Sequence, residues 1–173
     1  PAVRVQAAST WACLETLPTE IVTALLKNED AHVRRHAVRL SEPLFPDSPD
    51  VVRLLTSLKD DPSPQVRMQL ASSIGGAESQ AAADVLSHLI SSETADVFLN
   101  AAADSSLNSR NVAAVCSRLM QSGPEHAYSR RLPLLASLAD QKSVLDVLAL
   151  LLKQASDSPE QKTLQRVTAF LEG

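Results

Sequence analysis

Apolar residues recur along this chain in short segments whose spacing predicts helices. Four of these segments open on a valine and place a second small or aliphatic residue one helical turn later, as an amphipathic helix requires. The opening residues are Val3, Val33, Val66 and Val97, which follow one another at nearly equal intervals. Regular intervals of this length are typical of an α-solenoid, in which each helical unit stacks on the next.

A second amphipathic pattern precedes each of the later valines and recurs beyond them, in residues 21–26, 51–58, 85–90, 112–119 and 144–151. Short polar turns separate the patterns; Pro64 is expected at the start of a helix and Gly75 at its end. The chain is therefore predicted to be all-α, with one unpaired helix followed by five antiparallel helix pairs. The predicted units are residues 1–17 (half a repeat), 18–46, 47–76, 77–106, 107–140 and 141–173.

Residues 58–67 read Leu-Lys-Asp-Asp-Pro-Ser-Pro-Gln-Val-Arg. This stretch resembles the HEAT-repeat consensus, in which an Asp-Pro turn is followed within a few residues by Val-Arg. The resemblance covers roughly the first 100 residues and implies a right-handed α-α superhelix of the HEAT or armadillo-like kind. Further on, Tyr128 and Ser129 stand where the motif has Val and Arg, and Pro133 is expected to kink its helix or to force a bend between repeats.

The repeat sequences also resemble those of HEAT arrays in large modular bacterial proteins that carry haem-binding or dehydrogenase modules. The chain opens at Pro1 with what reads as a second helix lacking its first. We therefore expect a fragment of a longer protein. The Cys-x-x-Cys-His signature of covalent haem attachment does not occur in the sequence.

An arginine follows three of the opening valines, at Arg4, Arg34 and Arg67. In HEAT families such arginines resemble the rungs of a ladder that pair with carboxylates in the turns. By that resemblance, Asp30 and Asp61 are the expected partners. Their expected role is structural: they hold repeats together.

Hydrogen-bonding side chains occupy the third position after each opening valine, at Gln6, His36, Gln69 and Asn100. Two interpretations are open for this row. It is either a polar ladder that satisfies buried groups between adjacent helices, or a polar strip that contacts the backbone of a partner.

The side chains two and six positions after each valine are expected to point away from the core. They line a concave groove if the second helices face inward, as they do in the resembled family. The first set contains three apolar residues, and an aligned apolar row is typical of a binding surface. The residues are Val5, Arg35, Met68 and Leu99 in the first set, and Ser9, Arg39, Ser72 and Ala103 in the second. Together with Gln6, His36, Gln69 and Asn100, this groove is the predicted partner site. For the charges of Arg35 and Arg39, beside His32 and His36, a solvated face is the other interpretation.

The composition argues against several classes of function. A net charge of −4 and an aromatic content of 3% do not suit a nucleic-acid surface. No run of residues is long and apolar enough for membrane insertion. Cys13 and Cys116 match no metal or redox spacing and are expected to be buried, inert thiols. The spacing of His32 and His36 suits zinc. The residues between them include no general base, however, and they carry two positive charges, which would repel a metal cation.

No catalytic, metal or cofactor constellation is therefore predicted, and the chain is expected to be a non-catalytic scaffold that binds a protein or peptide. The first alternative is an accessory docking or spacer region of a larger multidomain enzyme, including a haem or redox enzyme, with another domain of the same polypeptide as the partner. A second alternative is a HEAT-like lyase of the bilin-lyase kind. DNA-repair glycosylases share the repeat style, but the charge and the shortage of aromatic residues disfavour them.

Overall fold

The computed structural model describes residues 2–92, 96–122, 129, 131–138, 144–149 and 168. Within these ranges the regular elements are helical, so the predicted all-α solenoid is confirmed. The α-helices are α1 (Ala2–Leu14), α2 (Thr19–Leu26), α3 (Ala31–Leu40), α4 (Pro49–Thr56), α5 (Pro64–Ile74), α6 (Gln80–Ser91), α7 (Val97–Ser105), α8 (Val112–Ser122) and α9 (Leu132–Leu138). A turn of 3-10 helix, Glu42–Leu44, follows α3.

The helices form two layers. The first helices of the units, α2, α4, α6 and α8, pack on one another in order, and the second helices, α1, α3, α5 and α7, do the same. Each first helix also packs against the second helix that follows it, as α2 does on α3. The core lies between the layers and is aliphatic: Leu55, Leu70, Leu86, Leu89 and Leu119 are each at most 2% exposed. The predicted unit 141–173 and Tyr128 lie largely or wholly outside the described residues.

Side-chain caps and prolines determine where several helices begin. The Asp30 carboxylate accepts the His32 N–H at 2.8 Å at the start of α3. At the start of α7, the Asp96 carboxylate accepts the N–H groups of Phe98 and Leu99. Helix α5 begins at Pro64, where a missing N–H costs little. These caps satisfy N–H groups that no intrahelical carbonyl reaches.

The caps correct the predicted register of one repeat, the one that contains α7. The N-cap positions of α3, α5 and α7 are Asp30, Ser63 and Asp96. Three positions after them come Val33, Val66 and Leu99, and all three are buried. These buried positions are equally spaced along the chain, and Leu132, buried in α9, continues the series at the same interval. By contrast, the predicted anchors Val97 and Val3 are 68% and 82% exposed. The prediction was wrong at Val97 because it matched a valine, whereas the cap sets the helix register and places the buried position at Leu99.

Helix α1 exposes Val3 for a different reason. It packs against α3 on one flank, and Ala8 is its buried residue. Its opposite flank, with Trp11 and Leu14, is exposed. The valine match therefore located the helix but not its buried face.

The predicted kink at Pro133 is also corrected. Helix α9 begins at Leu132, which places Pro133 in its first turn. In the first turn the N–H of a residue has no intrahelical acceptor, so proline is tolerated there without bending the helix. The side chain of Pro133 is exposed.

The C-terminal ends of α5 and α7 meet closely at Gly75. As predicted, α5 ends immediately before Gly75, but the φ of Gly75 is −62°, which any residue adopts. Its role is spatial: a Cβ there would lie far inside van der Waals contact with the Ser106 carbonyl and 2.7 Å from the Ser106 Cβ. The Gly75 carbonyl accepts N–H groups of the Asn108 and Asn111 side chains, each at 3.1 Å.

This close approach predicts opposite outcomes at adjacent glycines. Gly75→Ala should destabilise the array by about 1–3 kcal/mol, because backbone must move to admit the methyl group. Gly76→Ala is the matched control: its Cβ would find ordinary contacts, at 3.5 Å or more, and its φ is not positive. Gly76→Ala should be neutral or stabilising by about 0.5 kcal/mol, because alanine restricts the unfolded chain. Urea unfolding of both variants checks this, and equal effects would contradict the role assigned to Gly75.

Candidate protein-interaction surface

The structure brings Arg34 and Asp61 together between successive repeats. Arg34 donates from Nε and Nη2 to the two carboxylate oxygens of Asp61, at 2.8 and 2.9 Å. Its Nη1 donates to the carbonyls of Asn28 and Glu29 in its own turn. The Asp61 side chain is 3% exposed and the Arg34 side chain 13%. This bidentate pair joins the start of α3 to the turn before α5.

The electrostatics of Asp61 reflect this pairing. Burial by itself raises the pKa of the carboxyl group. The Arg34 hydrogen bond, the Ser63 N–H and the charges of Arg34 and Arg67 outweigh burial, so the net pKa lies below the usual aspartate value. Asp61 is therefore ionised at neutral pH.

The other expected ladder residues have different partners. Arg67 donates from Nη1 to the Asp61 carbonyl, just as Arg34 does to the carbonyl of Asn28 in the preceding repeat. Asp30 caps α3 through the His32 N–H. Arg4 lies exposed on α1. Among these residues, the Arg–carboxylate pair that the described part of the chain contains is Arg34–Asp61.

Two members of the row of hydrogen-bonding side chains, Gln69 and Asn100, make contacts of the polar-ladder kind. Gln69 donates to the Ser73 hydroxyl, which donates at 2.6 Å to Glu42 of the preceding repeat. Asn100 accepts from Arg131 at 2.9 Å. These contacts link neighbouring repeats. Gln6 is exposed on α1, beside a half-buried Val5, and His36 is half-buried on α3.

In α7, the residues that face the groove in the structure differ from those that the sequence predicted. Leu99 is 1% exposed and belongs to the core, so its assignment to the groove is wrong. Asn100 occupies the position of Arg34 and Arg67 and faces Arg131, which pairs with Asp104 at 2.5 Å. In the register set by the caps, Ala101 is the residue that aligns with Arg35 and Met68. Ala103 is likewise buried, one turn after Leu99.

The side chains of α3, α5 and α7 that lie outside the core form one aligned face, which we call the second-helix surface. Every member is exposed or half-buried, and its counterparts occupy the equivalent positions of the neighbouring repeats. Phe98, 72% exposed, is the largest apolar member that the valine match did not include. The signal that would have found it is the Asp96 cap. The members are His32, Gln65 and Phe98; Arg35, Met68 and Ala101; His36, Gln69 and Ala102; and Arg39, Ser72 and Ser105.

The α3 part of this surface is positively charged. Arg35 and Arg39 lie one helical turn apart, with His32 and His36 on the same face. Burial lowers the pKa of His36, and the charges of Arg35, Arg39 and His32 lower it further. His36 is therefore neutral at pH 7, and the fixed charges of this cluster are those of the two arginines.

The first helices carry a small polar recess of about 300 Å³, lined by Lys59, Asp84, Ser87, His88, Ser91 and Arg118. Arg118 pairs with Asp84 at 2.6 Å, and His88 contacts the Asp60 carboxylate at 2.7 Å. The ionisable groups that α6 and α8 contribute to the recess therefore already have partners within the protein.

Comparison with known proteins decides the family. A family model described as HEAT repeats matches residues 18–107, which is more than half of the chain. The chain belongs to the HEAT-repeat family. The matched region spans α2 to α7 and contains the Arg34–Asp61 pair. No curated protein matches the chain.

HEAT repeats are commonly protein-interaction scaffolds, and the family is typically non-catalytic. In the described part of this HEAT-repeat chain, no three His, Cys, Asp or Glu residues are grouped in a way that suits a metal ion. Cys116 is buried, and burial raises its pKa to about 12, so it stays a thiol. Cys13 is exposed on α1, so the expectation that both thiols are buried is wrong for this residue. None of the described helices has the length and apolar character needed to cross a bilayer.

Proposed function

We propose that this HEAT-repeat chain is a non-catalytic scaffold that holds a protein partner on the second-helix surface. The observation that carries the proposal is the 72% exposure of Phe98, a member of this surface at the start of α7; Val97, which borders the surface, is 68% exposed. Both lie on the same layer of helices as the half-buried Met68 of α5. Exposed apolar side chains on neighbouring helices of one layer are typical of a binding surface, because burying them against a partner removes apolar area from water.

The second-helix surface also has the variety of groups that protein recognition uses. It presents cations on α3, amides and a thioether on α5, and aromatic and small apolar groups on α7. The helices beneath it are fixed by the Arg34–Asp61 pair and by the close approach of α5 and α7 at Gly75. A surface fixed in this way loses little conformational entropy on binding.

A second candidate function rests on the open flank of α1. Val3, Trp11 and Leu14 are exposed there and border an apolar recess of about 920 Å³ that runs along the helix. This flank favours the docking of another domain of the same polypeptide, the accessory role in a larger protein. Trp11 is the single tryptophan of the chain, so its fluorescence reports directly on whether this flank becomes covered.

Affinity capture from a lysate of the source organism, quantified by mass spectrometry, tests the proposal. The parent chain is compared with a second-helix variant (Arg35→Glu, Met68→Glu, Phe98→Glu) and with an α1 variant (Val3→Glu, Leu14→Glu). All substituted side chains are exposed or half-buried, so both variants should retain the parental circular dichroism. We expect partners that the parent and the α1 variant retain and the second-helix variant loses, by about tenfold or more.

The converse pattern, with losses confined to the α1 variant, would refute the scaffold proposal in favour of docking through α1. Identical capture by all three proteins would refute both sites.

A further inference from the structure

The arginines of the second-helix surface differ from most of the other described arginines in their partners. Arg34, Arg53, Arg110, Arg118 and Arg131 each form an ion pair with a carboxylate. Neither Arg35 nor Arg39 lies within ion-pairing distance of a carboxylate among the described residues. Among the described residues of this chain, whose net charge is −4, Arg35 and Arg39 are thus two cations one helical turn apart without a paired carboxylate.

The proximity of Arg35 and Arg39 is unfavourable for the folded chain when no partner is bound. The two guanidinium groups repel each other at the spacing of one helical turn, and their charges contribute to keeping the nearby His36 neutral. A local conflict of this kind, on a surface that also exposes Phe98, is typical of a site selected for binding rather than for stability. A carboxylate-bearing partner would relieve the repulsion.

Phe98, the largest apolar member of the surface, lies two helices away from Arg35 and Arg39, on α7. Packed helices are about 8–10 Å apart, so α3 and α7 are separated by about 20 Å across α5. An extended peptide advances about 3.3 Å per residue and covers that distance in about six residues. The half-buried Gln69 and the exposed Gln65 of α5 lie along this path and supply hydrogen-bonding groups for a peptide backbone.

We infer that the partner, in the scaffold role proposed above, presents an extended acidic segment. Its carboxylates lie over Arg35 and Arg39, and an aromatic or aliphatic side chain about six residues away packs on Phe98 and Met68. The inference rests on the proposed function and adds the chemistry of the ligand. A protein segment is favoured over nucleic acid because the cations stop at α3. A phosphate backbone would need them along the whole path, where α5 and α7 present Gln65, Met68, Ser72 and Phe98 instead.

Peptide display with substituted baits tests the inference. Random peptides of about twelve residues, long enough to cover the span, are panned against the whole parent chain. They are also panned against Arg35→Glu/Arg39→Glu, Met68→Ser/Phe98→Ser and, as a matched control, Arg53→Glu. Arg53 is exposed on α4, and its side chain is 77% accessible, so the control changes charge without touching the second-helix surface.

We expect the parent and the Arg53→Glu control to enrich peptides with Asp or Glu about six residues from Phe, Trp, Leu or Met. The Arg35→Glu/Arg39→Glu bait should enrich Lys and Arg at the positions where the parent enriched acids. The Met68→Ser/Phe98→Ser bait should lose the apolar preference and keep the acidic one. A labelled parent-selected peptide should bind the charge-reversed chain about tenfold more weakly than the parent, with a difference that shrinks at high salt.

The alternative outcomes separate the inference from the proposed function. Enriched peptides without acidic preference, lost on the Met68→Ser/Phe98→Ser bait, would overturn the inference and leave the scaffold proposal standing. The inference would also be overturned if the same peptides were enriched on every bait, or if no peptide were enriched above the support alone. In either case the capture experiment decides the scaffold role separately. If a fluorescent DNA or RNA duplex bound the parent at physiological salt and Arg35→Glu/Arg39→Glu abolished the binding, the ligand would be a nucleic acid and not an acidic peptide.

Discussion

Replacing Leu99 by alanine is expected to destabilise the array by about 3 kcal/mol, whereas Val97→Ala is expected to change its stability by less than about 0.5 kcal/mol. Leu99 is 1% exposed in the layer between the first and second helices, and shortening it leaves a cavity that rigid neighbouring helices fill only in part. Val97, two positions earlier, is 68% exposed and makes few contacts to lose.

Urea unfolding followed by circular dichroism measures both effects. Hydrogen exchange adds a local readout, because repeat arrays gain their stability largely from contacts between neighbouring units. Amides of α5 and α7 should lose protection in Leu99→Ala and keep it in Val97→Ala. The reverse order of the two variants would mean that the Val97 register, with its match to Val33 and Val66, is the true one.

Replacing Asp61 by alanine is expected to cost about 3 kcal/mol, because it breaks a largely buried ion pair on one side. The substitution leaves the Arg34 guanidinium without its carboxylate in a site where that side chain is 13% exposed. It also removes the acceptor of the Ser63 N–H at the start of α5. Arg34→Ala should cost a comparable amount, because it leaves the 3%-exposed Asp61 carboxylate without its guanidinium and removes the donor to the Asn28 and Glu29 carbonyls.

Asp50→Ala is the matched control for this pair. Asp50 also pairs with an arginine, Arg53, but both side chains are at least 75% exposed. Exposed ion pairs contribute about 0–1 kcal/mol, so this change should be nearly silent in the same urea titration. If Asp61→Ala proved as mild as Asp50→Ala, the Arg34–Asp61 pair would not be what joins the two repeats.

The contribution of Asp61 should also depend on pH in a defined direction. Its folded-state pKa lies below the unfolded-state value, which for an aspartate is about 3.9. The stabilisation is therefore fully present above that value and is lost as the pH falls through the lower, folded-state pKa. The difference in unfolding free energy between the parent chain and Asp61→Asn should stay constant from neutral pH to about pH 5 and shrink below about pH 4. A difference that grew on acidification would contradict the assigned direction.

Much of the fold could be predicted because the signals that carry it are local. The alternation of two amphipathic patterns separated by polar turns predicts paired helices, and the Asp-Pro…Val-Arg stretch of residues 58–67 resembles one family. The family model matches residues 18–107, the part of the chain where those signals are strongest. Pro64 likewise marks the start of α5 through its own chemistry.

The candidate surface was harder to predict, because a shift of two positions turns a helix through more than half a circle. Choosing Val97 instead of Leu99 as the buried residue moved Leu99 into the groove and left Phe98 and Ala101 out of it. In α3 and α5 the valine and the cap agree, and there the predicted Arg35, His36, Arg39, Met68 and Gln69 do lie outside the core. In α7 they disagree, and the Asp96 cap determines the register.

The sequence by itself determined the helical class, the pairing of helices and the approximate repeat length, since these depend on periodicity and turn chemistry within a few residues of each position. Only the tertiary structure decided which arginine meets which carboxylate, because Arg34 and Asp61 lie in successive repeats and meet only when those repeats stack. The tertiary structure also showed why Gly75 is a glycine. Its backbone angles suit any residue, and the space that a side chain would need is occupied by Ser106, which the end of α7 brings in from the next repeat.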